Sequence, residues 1–146
     1  DANELAKEIY SDIVFLDPPY NSRQYSRFYH VIENLVEWEK PNLYGVALKP
    51  EPKNMSEYCR KGAPIVFDDL ISNLNCKYIV VTYNNTYNSK SSSSKNKIKL
   101  EEILESLNKR GKTKVFESDY RFFNAGKTDF PNHKEYLFIT EVNCEK

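Results

Sequence analysis

Asp17-Pro18-Pro19-Tyr20 stands directly after the apolar run Ile13-Val14-Phe15-Leu16. An ionised carboxylate only accepts hydrogen bonds. Two prolines bring no N–H and a locked φ, so the turn offers acceptors in a stiff frame. Asp17 can take one hydrogen of an amino group and the Pro18 carbonyl the other. Such a pair draws the nitrogen of an aromatic amine toward tetrahedral geometry and localises a lone pair that the ring otherwise delocalises. Tyr20 adds a face on which a flat base can stack, worth about 1–3 kcal/mol. Asp before Pro also suits a plain strand-ending turn. The apolar strand before it and the aromatic after it favour a site that acts on an exocyclic amino group.

Asn21, Arg23 and Tyr25 follow at once. Basic and aromatic residues interleaved beside a cleft suit phosphate contact and stacking; the same residues also suit a solvated helix start. Tyr83 and Asn84 follow a second apolar run and either line the same pocket or simply end a strand. Arg121 and Lys127 sit among Phe122, Phe123 and Phe130. Exposed aromatics there can wedge into a base stack, or they can cover the edge of a sheet. The segment 86–99 is rich in Ser, Asn and Lys and has no acidic residue. It reads as a solvated loop or as a basic arm near phosphates.

The elements that must position these residues follow from periodicity. Residues 2–10 read as a short helix and 12–16 as a strand covered on both faces. Tyr25, Phe28, Ile32, Leu35 and Val36 recur at helical spacing over 25–39. Residues 40–63, with Pro41, Pro50, Pro52, Gly45 and Gly62, predict an irregular excursion with one helical turn near 56–60. A helix with Phe67, Leu70, Ile71 and Leu74 on one face follows Pro64, then a strand at 78–82. Leu100, Ile103, Leu104 and Leu107 define a third helix, with Gly111 as its expected stop. Strands follow at 114–117 and 136–142. Strands alternating with helices predict an α/β domain with a mostly parallel sheet, and the last strand, with no helix before it, is expected antiparallel to its predecessor. In such sheets ligands bind beyond the carboxyl ends of the strands, so the three polar clusters should meet in one cleft.

Bulk composition limits the partners. The 146 residues carry 21 basic and 21 acidic side chains, for a formal net charge of +0. Any polyanion must therefore be held by a local patch. No apolar stretch has membrane-spanning length. Cys59, Cys76 and Cys144 lie far apart, as do His30 and His133, which predicts no metal site and a reduced, cytoplasmic protein.

With these residues in view, the stretch 12–40 resembles adenine-specific DNA methyltransferases of the Dam-like group. It carries Asp-Pro-Pro-Tyr-Asn-Ser-Arg-Gln-Tyr, then His30-x-x-Glu33-Asn34 and Trp38-Glu39-Lys40-Pro41. It is most similar to the modification enzymes of type IIS restriction systems. Tyr83-Asn84-Asn85 and Arg121-Phe122-Phe123, with Glu135-Tyr136-Leu137-Phe138, resemble later motifs of that family. The resemblance implies a partial Rossmann-like methyltransferase fold and methyl transfer from S-adenosylmethionine to N6 of an adenine flipped from double-stranded DNA. It implies that Asp17, Pro18, Pro19 and Tyr20 hold the base, and that Asp1 and Asp17 face the cofactor. The family's glycine-rich cofactor motif has no counterpart among the four glycines. Residues 1–146 are therefore expected to be the catalytic half of such a fold, inactive alone, with the amino-terminal half or a second chain as partner. The alternatives are a non-catalytic module that binds DNA or a partner, and an amino-methyltransferase acting on RNA adenine or on cytosine N4.

Overall fold

The computed structural model describes residues 1–46, 48–53, 55–88, 92–119 and 132–143. Its elements run α1 (Ala2–Ala6), β1 (Tyr10–Leu16), α2 (Tyr25–Phe28), α3 (His30–Val36), α4 (Ala63–Asn73), β2 (Asn75–Asn84), α5 (Leu100–Asn108), β3 (Gly111–Asp119) and β4 (Lys134–Val142). The sheet order is β1-β2-β4-β3. β1 pairs parallel with β2, whereas β4 pairs antiparallel with both β2 and β3. Three strands thus share one direction, and the last enters between two of them in the opposite one. This is the mostly parallel α/β arrangement with an antiparallel last strand that the element order predicts, and it is consistent with the partial Rossmann-like fold that the resemblance implies.

The core lies on one face of this sheet. α4 supplies Ala63, Phe67, Leu70 and Ile71, and α5 supplies Ile103 and Leu107. They pack against Ile79, Val81 and Tyr83 of β2 and Phe138 of β4, in keeping with the period-two alternation of a strand. Pro64 opens α4 in its first turn, where a missing N–H costs nothing. Arg110 closes α4: its guanidinium donates to the carbonyls of Ile71, Ser72 and Leu74 at 2.9, 2.5 and 2.8 Å. At the start of α5 the Glu102 carboxylate accepts the Lys99 N–H at 2.8 Å.

Four expectations change. α1 ends at Ala6 and β1 begins at Tyr10, so the helix is half the expected length. The helix over 25–39 divides at Tyr29, whose φ and ψ of −99° and 10° leave the helical region. Gly111 is not a helix stop but the first residue of β3. A Cβ there would lie 1.9 Å from the Glu141 carbonyl oxygen, so close strand approach is what requires glycine. Finally, among the described residues β1 is covered on one face only. Val14 and Leu16 pack on the core, whereas Ile13 and Phe15 are 60% and 61% exposed. Alternation sends them to the opposite face, over which no described element packs. Ile32, Leu35 and Val36 of α3 are likewise exposed.

Candidate active site

β1 stops at Leu16 because Pro18 and Pro19 have no N–H to extend the ladder. β2 runs on for three residues past Val81, the partner of Leu16. Thr82 therefore stands beside Asp17, and its Oγ1 donates to Asp17 Oδ1 at 3.0 Å. The Tyr20 hydroxyl lies 2.9 Å from the same Oδ1 and 2.9 Å from Glu135 Oε1 on β4. Among the described residues no hydrogen bond reaches Asp17 Oδ2, and the side chain is exposed, so that oxygen faces outward as an acceptor.

The backbone behind the motif is fixed too. The Tyr20 carbonyl accepts the Tyr83 hydroxyl at 3.1 Å and the Lys97 N–H at 2.8 Å. The Tyr83 oxygen in turn accepts the Ile98 N–H at 3.2 Å. The two rings meet edge-on, with centroids 5.0 Å apart and planes at 76°. Burial is the main cause that drives the Tyr20 phenol far above its ordinary range, and hydrogen bonds to Glu135 and Asp17 add to it. Burial also pushes Tyr83 up, to about 12. Both hydroxyls therefore keep their hydrogens at neutral pH and act as donors.

A cavity of about 310 Å³ opens beside the motif. Phe15, Leu16, Pro18, Phe67 and Leu70 give it apolar walls, and Asp1 and Asp17 both line it. Asp1 caps α1, accepting the Asn3 N–H at 2.8 Å. Tyr58, from a single 3₁₀ turn at Glu57–Cys59, closes another side. Its hydroxyl donates toward Asn3 Oδ1 at 2.9 Å, which ties that turn to α1. Flat apolar walls with two carboxylates fit a ligand that has a ring, an amino donor and a positive charge.

The structure gathers Asp1, Asp17, Pro18, Pro19 and Tyr20 around this cavity and the turn above it. Asn21 makes a local turn, its Oδ1 accepting the Arg23 N–H at 3.0 Å. Arg23 and Tyr25 are exposed beyond it, and the Tyr25 ring stacks on Tyr29 at 6.1 Å. Tyr83 and Asn84, expected either to line the pocket or to end a strand, are both buried at the end of β2. Tyr83 buttresses the motif. Asn84 Oδ1 accepts from the Thr86 N–H and Asn96 Nδ2 at 3.1 and 2.9 Å. Of the segment 86–99, the described residues Lys97 and Ile98 are bound into the site through their backbone N–H groups. Arg121 and Lys127 lie outside the described residues. Among the described residues no group of three or more His, Cys, Asp or Glu is placed to hold a metal, and no helix is long and apolar enough to cross a membrane.

Sequence reasoning missed Thr82 and Glu135. The signal for Glu135 was the antiparallel last strand. Such a strand starts where its parallel neighbours end, so its first residues belong to the cleft.

A family model described as D12 class N6 adenine-specific DNA methyltransferase matches residues 1–85. The chain is similar to the modification methylase StsI of Streptococcus sanguinis, 47% identical over 87 residues, which are 58% of this chain and 13% of that protein. It is 35% identical to the type II methyltransferase M.NlaIII of Neisseria lactamica over 97% of this chain and 41% of that one. It is 32% identical to M.FokI of Planomicrobium okeanokoites over 97% and 21% of the two chains. The chain thus spans less than half the length of each of these relatives. No solved structure matches it.

Proposed function

The chain belongs to the D12 class N6 adenine-specific DNA methyltransferase family, and on that premise we propose that Asp17, Pro18, Pro19 and Tyr20 receive an adenine flipped out of double-stranded DNA for methylation at N6. Asp17 and the Pro18 carbonyl accept the two amino hydrogens, and the Tyr20 ring carries the base. S-adenosylmethionine, when bound, would supply an electrophilic methyl to the amino nitrogen that Asp17 and the Pro18 carbonyl hold. The amino proton held by Asp17 then leaves along that hydrogen bond to solvent. Asp1 and the apolar walls of the 310 Å³ cavity hold the cofactor's nucleoside end. Asn21, Arg23 and Tyr25 meet the DNA next to the flipped base. Arg121 and Lys127 belong to the same proposed DNA-facing set.

The observation that supports this reading best is the shared cavity: the amino-accepting Asp17 and the capping Asp1 line one space. The named relatives are modification methylases and type II methyltransferases. We extend from them the role of protecting DNA beside a restriction enzyme. We also read residues 1–146 as the part that carries the base-binding motif, with the glycine-rich cofactor turn supplied by an amino-terminal half or by a second chain. The test is tritiated methyl transfer by a protein containing this chain, with nucleoside analysis of the product. N6-methyladenine in duplex DNA is expected. Label found only in N4-methylcytosine or in RNA overturns the reading.

A further inference from the structure

Tyr20 presents a single hydroxyl hydrogen to two carboxylates. Its oxygen lies 2.9 Å from Asp17 Oδ1 and 2.9 Å from Glu135 Oε1. A phenol has one hydrogen, and an ionised carboxylate has none to return, so the hydroxyl serves one acceptor at a time. Asp17 Oδ1 also takes the Thr82 hydroxyl at 3.0 Å. One of the two oxygens proposed to receive the substrate amino group is therefore already engaged from within the protein, and a turn of Asp17 toward the substrate has to loosen that contact. Glu135 is the second residue of β4, with Asn84 of β2 and Ser118 of β3 as register partners. It is set on the sheet, not on the turn, and keeps its place if the turn adjusts.

We propose that Glu135 is a positioning residue that takes over the Tyr20 hydroxyl when Asp17 turns to the substrate amino group. This rests on the adenine reading above and deepens it. In the free protein the hydroxyl stands between both carboxylates. When an amino N–H arrives at Asp17, the phenol hydrogen passes wholly to Glu135 and the ring keeps its place. Asp17 is released, and the stacking surface stays fixed. Without Glu135 the half-buried hydroxyl either competes with the substrate for Asp17 or loses its bond, and both outcomes weaken the bound state. The high phenol range of Tyr20 ensures that there is a hydrogen to hand over.

The test is a double-mutant cycle in a methyltransferase containing this chain, read as kcat/KM for DNA. Glu135→Ala is expected to cost about tenfold, the size of one hydrogen bond to a charged group. Glu135→Gln, whose amide oxygen still accepts the hydroxyl, is expected to stay near wild type. In a Tyr20→Phe background Glu135→Ala should cost nothing further, because there is no hydroxyl left to hold. An equal tenfold loss in that background, or a Gln variant as poor as Ala, overturns the proposal. The hydrogen bond is also read without activity, by NMR of ¹³Cζ-labelled tyrosine with Tyr20 assigned by its loss in Tyr20→Phe. Glu135→Gln should move the Tyr20 resonance, and an unmoved resonance overturns the proposal even if Glu135→Ala does not fold. Wild-type protein that methylates no adenine would sink the adenine reading alone, and the resonance test of the Tyr20–Glu135 bond would stand.

Discussion

The Tyr83 hydroxyl lies 3.1 Å from the Tyr20 carbonyl, so a side chain buried in the central strand holds the turn that carries the site's aromatic ring. Core and site share this residue, which makes it a place where stability and binding respond together.

Tyr83→Phe leaves the Tyr20 carbonyl with the Lys97 N–H but deprives the Ile98 N–H of its partner. A buried donor left unpaired costs about 1–3 kcal/mol. Urea unfolding should show that loss. Because burial raises the Tyr83 phenol from 10.0 to about 12, the folded state holds this proton more tightly than the unfolded chain. Its contribution is full below pH 10.0 and is lost as pH rises toward 12. The variant should therefore show a shallower fall in stability across that window. An identical pH profile would refute the assignment.

Asp17→Ala removes the amino acceptor and leaves the cavity wall largely intact. Loss of a group that acts on developing charge typically costs about 10²–10³-fold in turnover. Methyl transfer should drop at least that far, while cofactor affinity measured by calorimetry changes little. Activity within tenfold of wild type would remove Asp17 from the proposed role.

Tyr20→Ala should lose the stacking surface and release the base. Tyr20→Trp should keep a stacking face. Tyr20→Phe should likewise keep the ring face, and both of these variants forfeit the hydroxyl contacts at 2.9 Å. Fluorescence of 2-aminopurine at the target position reports flipping. If Phe matches Ala, the ring face is not the contact.

Gly111→Ala places a methyl 1.9 Å from a backbone carbonyl oxygen. Neither β3 nor β4 can give way without shifting the ladder, so a loss of about 1–3 kcal/mol is expected. Thermal unfolding checks it, and a neutral result would mean that the strands separate easily there.

The sequence displays some of this directly and hides the rest for physical reasons. An apolar run of four ending at Pro-Pro gives both β1 and the motif it carries, because strand and turn are local in the chain. Helices α4 and α5 announce themselves by spacing, since their apolar stripes meet one shared core. The contact of Glu135 with Tyr20 was invisible because it spans 115 residues, and only strand order brings the two together. Gly111 misled because helix stops and crowded strand starts both call for a missing side chain. Tyr83 was ambiguous because an aromatic at a strand end looks the same whether it faces a cleft or a core. The apolar stripe over 25–39 marks a helix, and its residues Ile32, Leu35 and Val36 prove exposed: periodicity shows that a face exists, not that a neighbour covers it.

The insertion of β4 between β2 and β3 has a consequence for the order in which the molecule can assemble. Among the described residues β3 pairs with β4 alone, and one edge of β2 stays open until β4 arrives. A ribosome extends a chain at about 5–20 residues per second. Until β4 is made, the first two strands can pair while the third waits. Closure of this sheet and delivery of Glu135 to Tyr20 are then one event, performed by the last of the four strands in chain order. A chain stopped before Lys134 would lose the sheet's right half and one carboxylate of the site together, so a half-made protein has no opportunity to hold its tyrosine in working position.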